Sequence, residues 1–476
     1  MENRTKRDKK LITIVSTFEQ KLASGQQTYL DESTLQRLIT YYEDELMYHK
    51  AIEVINIALD QYKFRSDLFI LKARILYKLG NFTKALYNVN KAEAIAPYEL
   101  DIQILKARIL ASNSQTIESL DLINSLKSKT HNSDLVEVYI CESHLYEIMQ
   151  DMDKMYDSLV NALKIAPNCE EALERIWFAV ELSKRYIDSI RFHEALLEQE
   201  PYSYLAWFNL GHALSCIGEY DQAIDALEYS FIVNKQFAVG YLDCADVCYQ
   251  IQNHRKALEI YKEYFDVFGY DDELLIKMSE CQYELCQYEE SKSTILKSIE
   301  LDPYCDEAYF ILAKCYVKEN NWSQAIKSYL KAIAIEDLVE DYYLGLGKAF
   351  HATGAYNKAE QYLRKAALMA PEDCNYWVEY VVFLLSIRDL DKAFIVLNEA
   401  SNSTYSASLL YCEFAALHFR GERVKAIGVL EEALLEDIDE HSILFEIEPE
   451  FRLNHEINSM IKYYISEIIA EKNKKE

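Results

Sequence analysis

An all-α chain assembled from one short repeated unit is what this sequence predicts, on three observations. A small residue returns every 34 residues, glycine (11) and proline (6) are scarce over 476 residues, and hydrophobic residues make up 50%. So few turn formers argue against a turn-rich all-β fold and for helices joined by short loops. The apolar half of the composition supports a large core and excludes wholesale disorder. Length alone would suggest about three globular domains, but the repeat decides the architecture.

From the start, residues 1–10 carry Arg4, Lys6, Arg7, Lys9 and Lys10 against two acids. Residues 8–24 then read as one amphipathic helix (Leu11, Ile14, Val15, Phe18, Leu22) before a Gly-Gln-Gln break. Basic residues ahead of Leu11–Phe18 imitate a signal peptide, but Glu19 and Lys21 cut the apolar run short. Apolar runs such as Val381–Leu385 fall far below the ~20 residues a bilayer needs. A cytoplasmic protein without membrane contact is expected.

The repeat follows. One small series runs Ala51, Ala85, Ser119, Ser189, Ala223, Ala257, Ser291, Ala325, Ala359, Ala393. A two-residue insertion places Met155 in the fourth unit, and a one-residue deletion places Ala426 in the twelfth. A second series runs Ala73, Ala107, Ser143, Gly211, Ala245, Ser279, Ala313, Gly347. Five prolines (Pro97, Pro167, Pro201, Pro303, Pro371) close units, where a helix cannot continue. The small residues mark where two helices of a unit cross closely. Stretches such as Ala325–Ile333 show the 3.6-residue apolar spacing of a buried helix face. Twelve units fit between about residues 32 and 440. Leu126, Met155, Trp177 and His193 depart from the pattern in the third to fifth units, so local irregularity is expected there, with strain at Trp177.

The chain closes on Glu431–Glu450, with nine acids and no Lys or Arg, and an amphipathic helix over 452–472 (Ile457, Met460, Ile461, Tyr464, Ile468, Ile469). The expected organisation is a basic tail and capping helix (1–31), the repeats (32–440), and an acidic connector with a second cap (441–476). A solenoid needs such caps over its terminal core layers.

The pattern resembles the tetratricopeptide repeat, with its W-x2-L-G-x2-Y…A-x3-F…P signature. The sixth unit carries Trp207, Leu210, Gly211, Ala223 and Leu227; the tenth carries Tyr343, Leu346, Gly347, Phe350, Ala359, Leu363 and Pro371. The resemblance implies a right-handed superhelical solenoid of helix-turn-helix units. The Lys6–Thr13 opening, Tyr29-Leu-Asp-Glu32 and Ile443–Phe451 are similar to long cytosolic tetratricopeptide proteins of the Bacteroidetes.

The search for chemistry mostly meets absences. A net charge of −28 repels phosphate backbones, so broad nucleic-acid binding is not expected. No HExxH, Walker A loop, GxSxG or zinc-ligand spacing occurs. Gly345-Leu-Gly347 lacks the third glycine and preceding strand of a dinucleotide motif, and Gly347 reads as a helix-packing residue. The eleven cysteines form no CxxC pair, and most, such as Cys244, Cys248, Cys281 and Cys286, read as buried reduced thiols. His144, His212 and His351 have no second ligand at helical spacing. No enzyme activity, metal or cofactor is expected.

In the family it resembles, places 2, 5, 9, 12 and 13 of each first helix face a concave groove. Place 9 opens with Arg74 and Arg108, passes His212, then Asp246 and Glu280, and closes with Lys314 and Lys348. Place 12 adds Tyr77, Tyr249 and Tyr283, and place 5 adds Phe208 and Phe310. Aromatics beside paired charges suit an extended peptide ligand. The bland alternative is a solvated wall of ordinary ion pairs, with Asp67, Asp101, Glu307 or Asp341 already neutralising the cations. The family's chaperone-binding clamp is not reproduced, because the first unit has Gln36 and Thr40 and no unit has Asn at place 9. The expected function is a non-enzymatic scaffold binding a peptide or partner protein in the groove. The alternative is a structural subunit that assembles through its convex face or ends.

Overall fold

The computed structural model describes residues 13–20, 29 and 31–475, with side chains through 466. Among them there is no strand. Twelve helix pairs follow one another, from Glu32–Asp44 with Tyr48–Gln61 to Ala407–Arg420 with Arg423–Glu436. The described chain is all-α, as expected. Contacts divide it into two compact bodies, Met1–Val247 and Cys248–Glu476.

One device makes every turn inside a pair. One residue in the turn after each first helix has a positive φ, at twelve corresponding positions: Leu46, Gly80, Ser114, Gln150, Lys184, Gly218, Gln252, Cys286, Asn320, Gly354, Arg388 and Gly421. Only four are glycine, the residue that takes this conformation without strain. The second pair shows the mechanism. Gly80 N donates to Tyr77 O and Asn81 N to Leu76 O, both at 2.9 Å, closing the first helix in the Schellman manner. Asn81 Oδ1 then accepts from Lys84 N and caps the next helix. Asp151, Asn253, Asn321 and Asp389 cap the second helices of other pairs in the same way.

The crossing residues lie where the sequence puts them. Ala51, Ala85, Ser119, Ala223, Ala325 and Ala359 have no exposed surface. A Cβ on Gly211 would lie 2.6 Å from Leu227 Cγ, and one on Gly347 2.7 Å from Leu363 Cγ. Where two serines face each other in the eighth pair they bond across it: Ser279 Oγ donates to Ser291 O at 3.0 Å, and Ser291 Oγ to Ser279 O at 2.8 Å.

The irregularity concentrates in the fifth pair. Its first helix, Glu170–Ser183, packs mainly on Met152–Ile165 of the pair before, and its second, Tyr186–Gln199, on Tyr204–Cys216 of the pair after. The two touch each other sparsely. Trp177 stands where eight other pairs carry Ala, Ser or Gly, and its bulk is accommodated by opening the pair. The indole packs at a tilt against His212, centroids 4.8 Å apart. Met155 is buried in a fourth pair that stays closed.

At the start, Val15 and Phe18 pack with Leu35, Leu38 and Tyr42. The expected contacts of Leu11 and Leu22, and the basic tail, lie outside the described residues. At the other end, Leu444, Phe451, Ile457 and Ile461 join Phe414, Leu430 and Leu434 in one apolar cluster. The final helix begins at His455 rather than 452, because Pro449–Leu453 forms a 3-10 turn and Asn454 Oδ1 accepts from Glu456 N. One expected buried thiol is misplaced: Cys286 is exposed, because it occupies a left-handed turn position.

Candidate functional site

In the first body, one helix presents two faces. Arg74, Tyr77 and Lys78 of Ser66–Lys78 point into a pocket of about 450 Å3 that Arg108 also lines. The structure thus brings Arg74, Tyr77 and Arg108 together. Arg74 is exposed and makes no ion pair among the described residues. Tyr77 Oη lies 3.1 Å from Ser112 Oγ. Arg108 Nη2 is 3.5 Å from Glu171 Oε1, while its Nε is buried without a partner. Asp101 lines the pocket, but it is Glu171, from the fifth unit, that pairs with Arg108. Asp67 is taken by Arg65 at 2.8 Å.

Sequence reasoning missed Arg175 and the carboxylates that join this wall. Arg175 Nη2 reaches Glu147 Oε2 at 2.5 Å. His144 lies 3.6 Å from both Glu147 and Glu171. Those carboxylates are engaged by the two arginines, so burial, helped by Arg175 and Arg108, holds the imidazole down at about 3. Glu137, in the same pocket, is raised by burial and by Asp101 and Asp134. Three cations face three carboxylates here (Arg74, Lys78, Arg108; Asp101, Glu137, Glu171), so the pocket carries no net charge. Spacing within the repeat could not reveal this, since the carboxylates come from three different first helices.

Further along the same body, Phe208, His212 and Trp177 form an aromatic group. Phe208 meets His212 edge-on at 4.4 Å, and His212 Nε2 is 2.9 Å from Asp243 Oδ2. Asp246 is half-buried on the helix that carries Asp243.

In the second body, Lys314 sits 4.4 Å from the Tyr283 ring centre and 5.6 Å from that of Phe310. Cation–π contact thus joins three of the expected residues. Phe310 also packs on Tyr342 at 4.9 Å. Glu280 is half-buried; burial raises its carboxyl, Glu307 adds to the rise, and Lys314 opposes it. Tyr249 packs edge-on against His254, and burial pushes its phenol up to about 12. Lys348 does not share this group, because it is paired with Glu379 of the eleventh unit. Asp341 accepts from Tyr376 Oη at 2.9 Å rather than pairing with it. The expected Lys314/Lys348 pair therefore has two different environments.

Among the described residues there is no group of three or more His, Cys, Asp or Glu able to hold a metal ion, and no helix long and apolar enough to cross a membrane.

This is a protein of tandem helix-pair repeats, and comparison places the repeat. Family models described as tetratricopeptide repeat match residues 194–225 and 312–374. These stretches of the chain are tetratricopeptide repeats. The chain is similar to a TPR repeat-containing protein of Methanocaldococcus jannaschii, 20% identical over 55% of this chain and 54% of that one. It is also similar to the human protein O-mannosyl-transferase TMTC1, 22% identical over 38% of this chain and 20% of that one. The chain thus spans about half of the first relative and a fifth of the second. Among solved structures, a tetratricopeptide repeat protein from Parabacteroides merdae aligns with TM-score 0.42 and 13% identity, covering 55% of this chain and 98% of that one.

Proposed function

We propose that the chain is a non-enzymatic protein-interaction scaffold that holds a peptide segment of a partner at the pocket of Arg74, Tyr77 and Arg108. The observation that carries this reading is Arg74, exposed on the pocket wall beside Tyr77 and Arg108 and without an ion pair among the described residues. A ligand carboxylate or carbonyl can meet the exposed Arg74 guanidinium as a charge-assisted hydrogen-bond partner. Arginine offers that group a two-pronged grip that lysine does not. The three carboxylates across the pocket favour an occupant with donors as well as acceptors. A peptide backbone has both; a bare polyanion does not.

The test is capture of partners by the full chain from a lysate of its native host, with wild type, Arg74→Glu/Arg108→Glu and a control pair, Lys297→Glu/Lys327→Glu. Both control lysines are exposed and lie outside the arginine pocket. Recovery should fall only for the arginine variant, with helicity intact by circular dichroism. Equal loss in both variants, or in neither, removes the groove reading.

A further inference from the structure

The opposite face of the helix Ser66–Lys78 lines a second and larger hollow. Phe69, Lys72 and Leu76 point into it, roughly half a turn away from Arg74 and Tyr77. The remaining walls are the second helices of the first two units, Tyr48–Gln61 and Phe82–Ile95. Its volume is about 1150 Å3.

Its charge is what sets it apart. Lys63, Lys72, Lys84 and Lys91 line it, and Asp60 is the one carboxylate among the lining residues. None of the four ammonium groups has an ion pair among the described residues, although the chain carries −28 overall. Lys72 Nζ donates to Asn56 Oδ1 at 2.6 Å, a neutral partner. Lys91 Nζ lies 4.6 Å from the Tyr87 ring centre and 5.6 Å from that of Phe69. Elsewhere lysines find carboxylates, as Lys106 does with Glu93 and Lys392 with Glu360. Here Lys72 is held by an amide and Lys91 by ring faces, and the two repel each other. Burial lowers the Lys72 ammonium from its ordinary value, and the Lys91 charge adds to that. An anion between them would relieve both effects.

We infer that this hollow binds an acidic peptide segment, with carboxylate side chains against Lys63, Lys72, Lys84 and Lys91 and apolar side chains on Phe69 and Leu76. Two features select a peptide over a small anion. The volume exceeds the roughly 300–1,000 Å3 of ordinary small-molecule pockets, and apolar side chains from both units share the lining with the amines. The acidic body elsewhere disfavours the same ligand, so charge both steers it and restricts it to this face. The site is independent of the groove reading: it uses second helices and the reverse of the one first helix the two pockets share.

The experiment is fluorescence anisotropy with the full chain and a labelled synthetic dodecapeptide of alternating Glu-Asp pairs and leucines. Wild type should bind it, and Lys72→Glu/Lys91→Glu should weaken binding by about tenfold or more. Lys72→Gln/Lys91→Gln, which only neutralises the charges, should weaken it in the same direction; it decides the matter if the reversal variant loses helicity. Arg74→Glu/Arg108→Glu should leave it within about twofold. Four results would each overturn the inference: affinity weaker than roughly 1 mM in wild type, equal loss in the arginine variant, equal binding of the Gln-Asn version of the peptide, or binding only of its phosphoserine counterpart.

Discussion

Acidification should open the fifth repeat before its neighbours, and His193 sets by how much. The residue lies in the middle of Tyr186–Gln199 with no exposed surface. Its Nδ1 is 2.8 Å from Ser189 O and donates to it, which leaves Nε2 as a buried acceptor without a partner. Protonation would place both a charge and an unmet donor in an apolar site, beside the edge-on Phe192 ring. Burial accordingly lowers the imidazole from 6.5 to about 4. A depressed histidine contributes stability that is complete above its unfolded value and is lost as pH falls towards its folded value. Between those two values the unfolded chain takes up a proton that the folded one refuses. At pH 5 the cost is about 2 kcal/mol, or roughly 30-fold in the local opening constant. Because the fifth pair is already splayed around Trp177, that cost falls on a unit with few internal contacts to resist it. Hydrogen exchange on peptides covering 186–199, corrected for intrinsic rates, should show the loss between pH 7 and pH 5. His193→Leu should abolish most of it. An equal loss in wild type and variant would refute the assignment to His193.

Three further outcomes follow from the packing. Lys127→Met removes the cation 2.5 Å from Glu142, a carboxylate 5% exposed whose other partner is Ser158; it should cost about 3 kcal/mol in denaturant titration, and Lys127→Met/Glu142→Met should restore most of that. Lys184→Gly relieves a left-handed residue between the helices of the fifth pair and should stabilise it by about 1 kcal/mol, seen as slower exchange in 170–199, whereas Lys164→Gly, inside a helix, should destabilise by a similar amount. A chain ending at residue 440 loses Leu444, Phe451, Ile457 and Ile461 from the cluster that covers Phe414 and Leu434, and light scattering should detect association; a monomer with unchanged melting would remove the capping role.

The fold was legible because its information is periodic. Small residues at Ala85, Ala223 or Ala325 recur at crossing points where only their backbones can approach, and a period of 34 survives one insertion and one deletion. The turns were less legible. Eight of the twelve left-handed positions carry residues such as Leu46, Lys184 or Arg388, so glycine spacing hides a feature that backbone geometry makes uniform. There the pull of the two packed helices outweighs the roughly 1–2 kcal/mol a side chain loses in that conformation. The site was legible only in part. Position within the repeat selects Arg74, Tyr77 and Arg108, and all three line one pocket. It cannot say which cations are already spent, because partners come from other units: Glu171 for Arg108, Glu379 for Lys348.

The same blindness affects how basic patches are ranked. Counting place 9 of the first helices makes Arg74 and Arg108 the electropositive feature and passes over Lys84 and Lys91, which lie on a second helix. Geometry reverses the order. The arginine pocket gathers as many carboxylates as cations, whereas the lysine hollow gathers four cations and one carboxylate. A carboxylate 63 residues away in sequence pairs with Arg108, while lysines from the turn after one second helix, the next first helix and the next second helix converge around Asp60 alone and form no ion pair among the described residues. Charge in a repeat array is therefore a property of neighbouring units taken together. Substitution of Lys84 and Lys91 cannot serve as a neutral control for the arginine pair: if both faces bind, reversing either would lower partner recovery, and the loss would be misread as non-specific electrostatics. Exposed lysines outside both hollows, Lys297 and Lys327, separate these cases, because only they can report the effect of net charge alone.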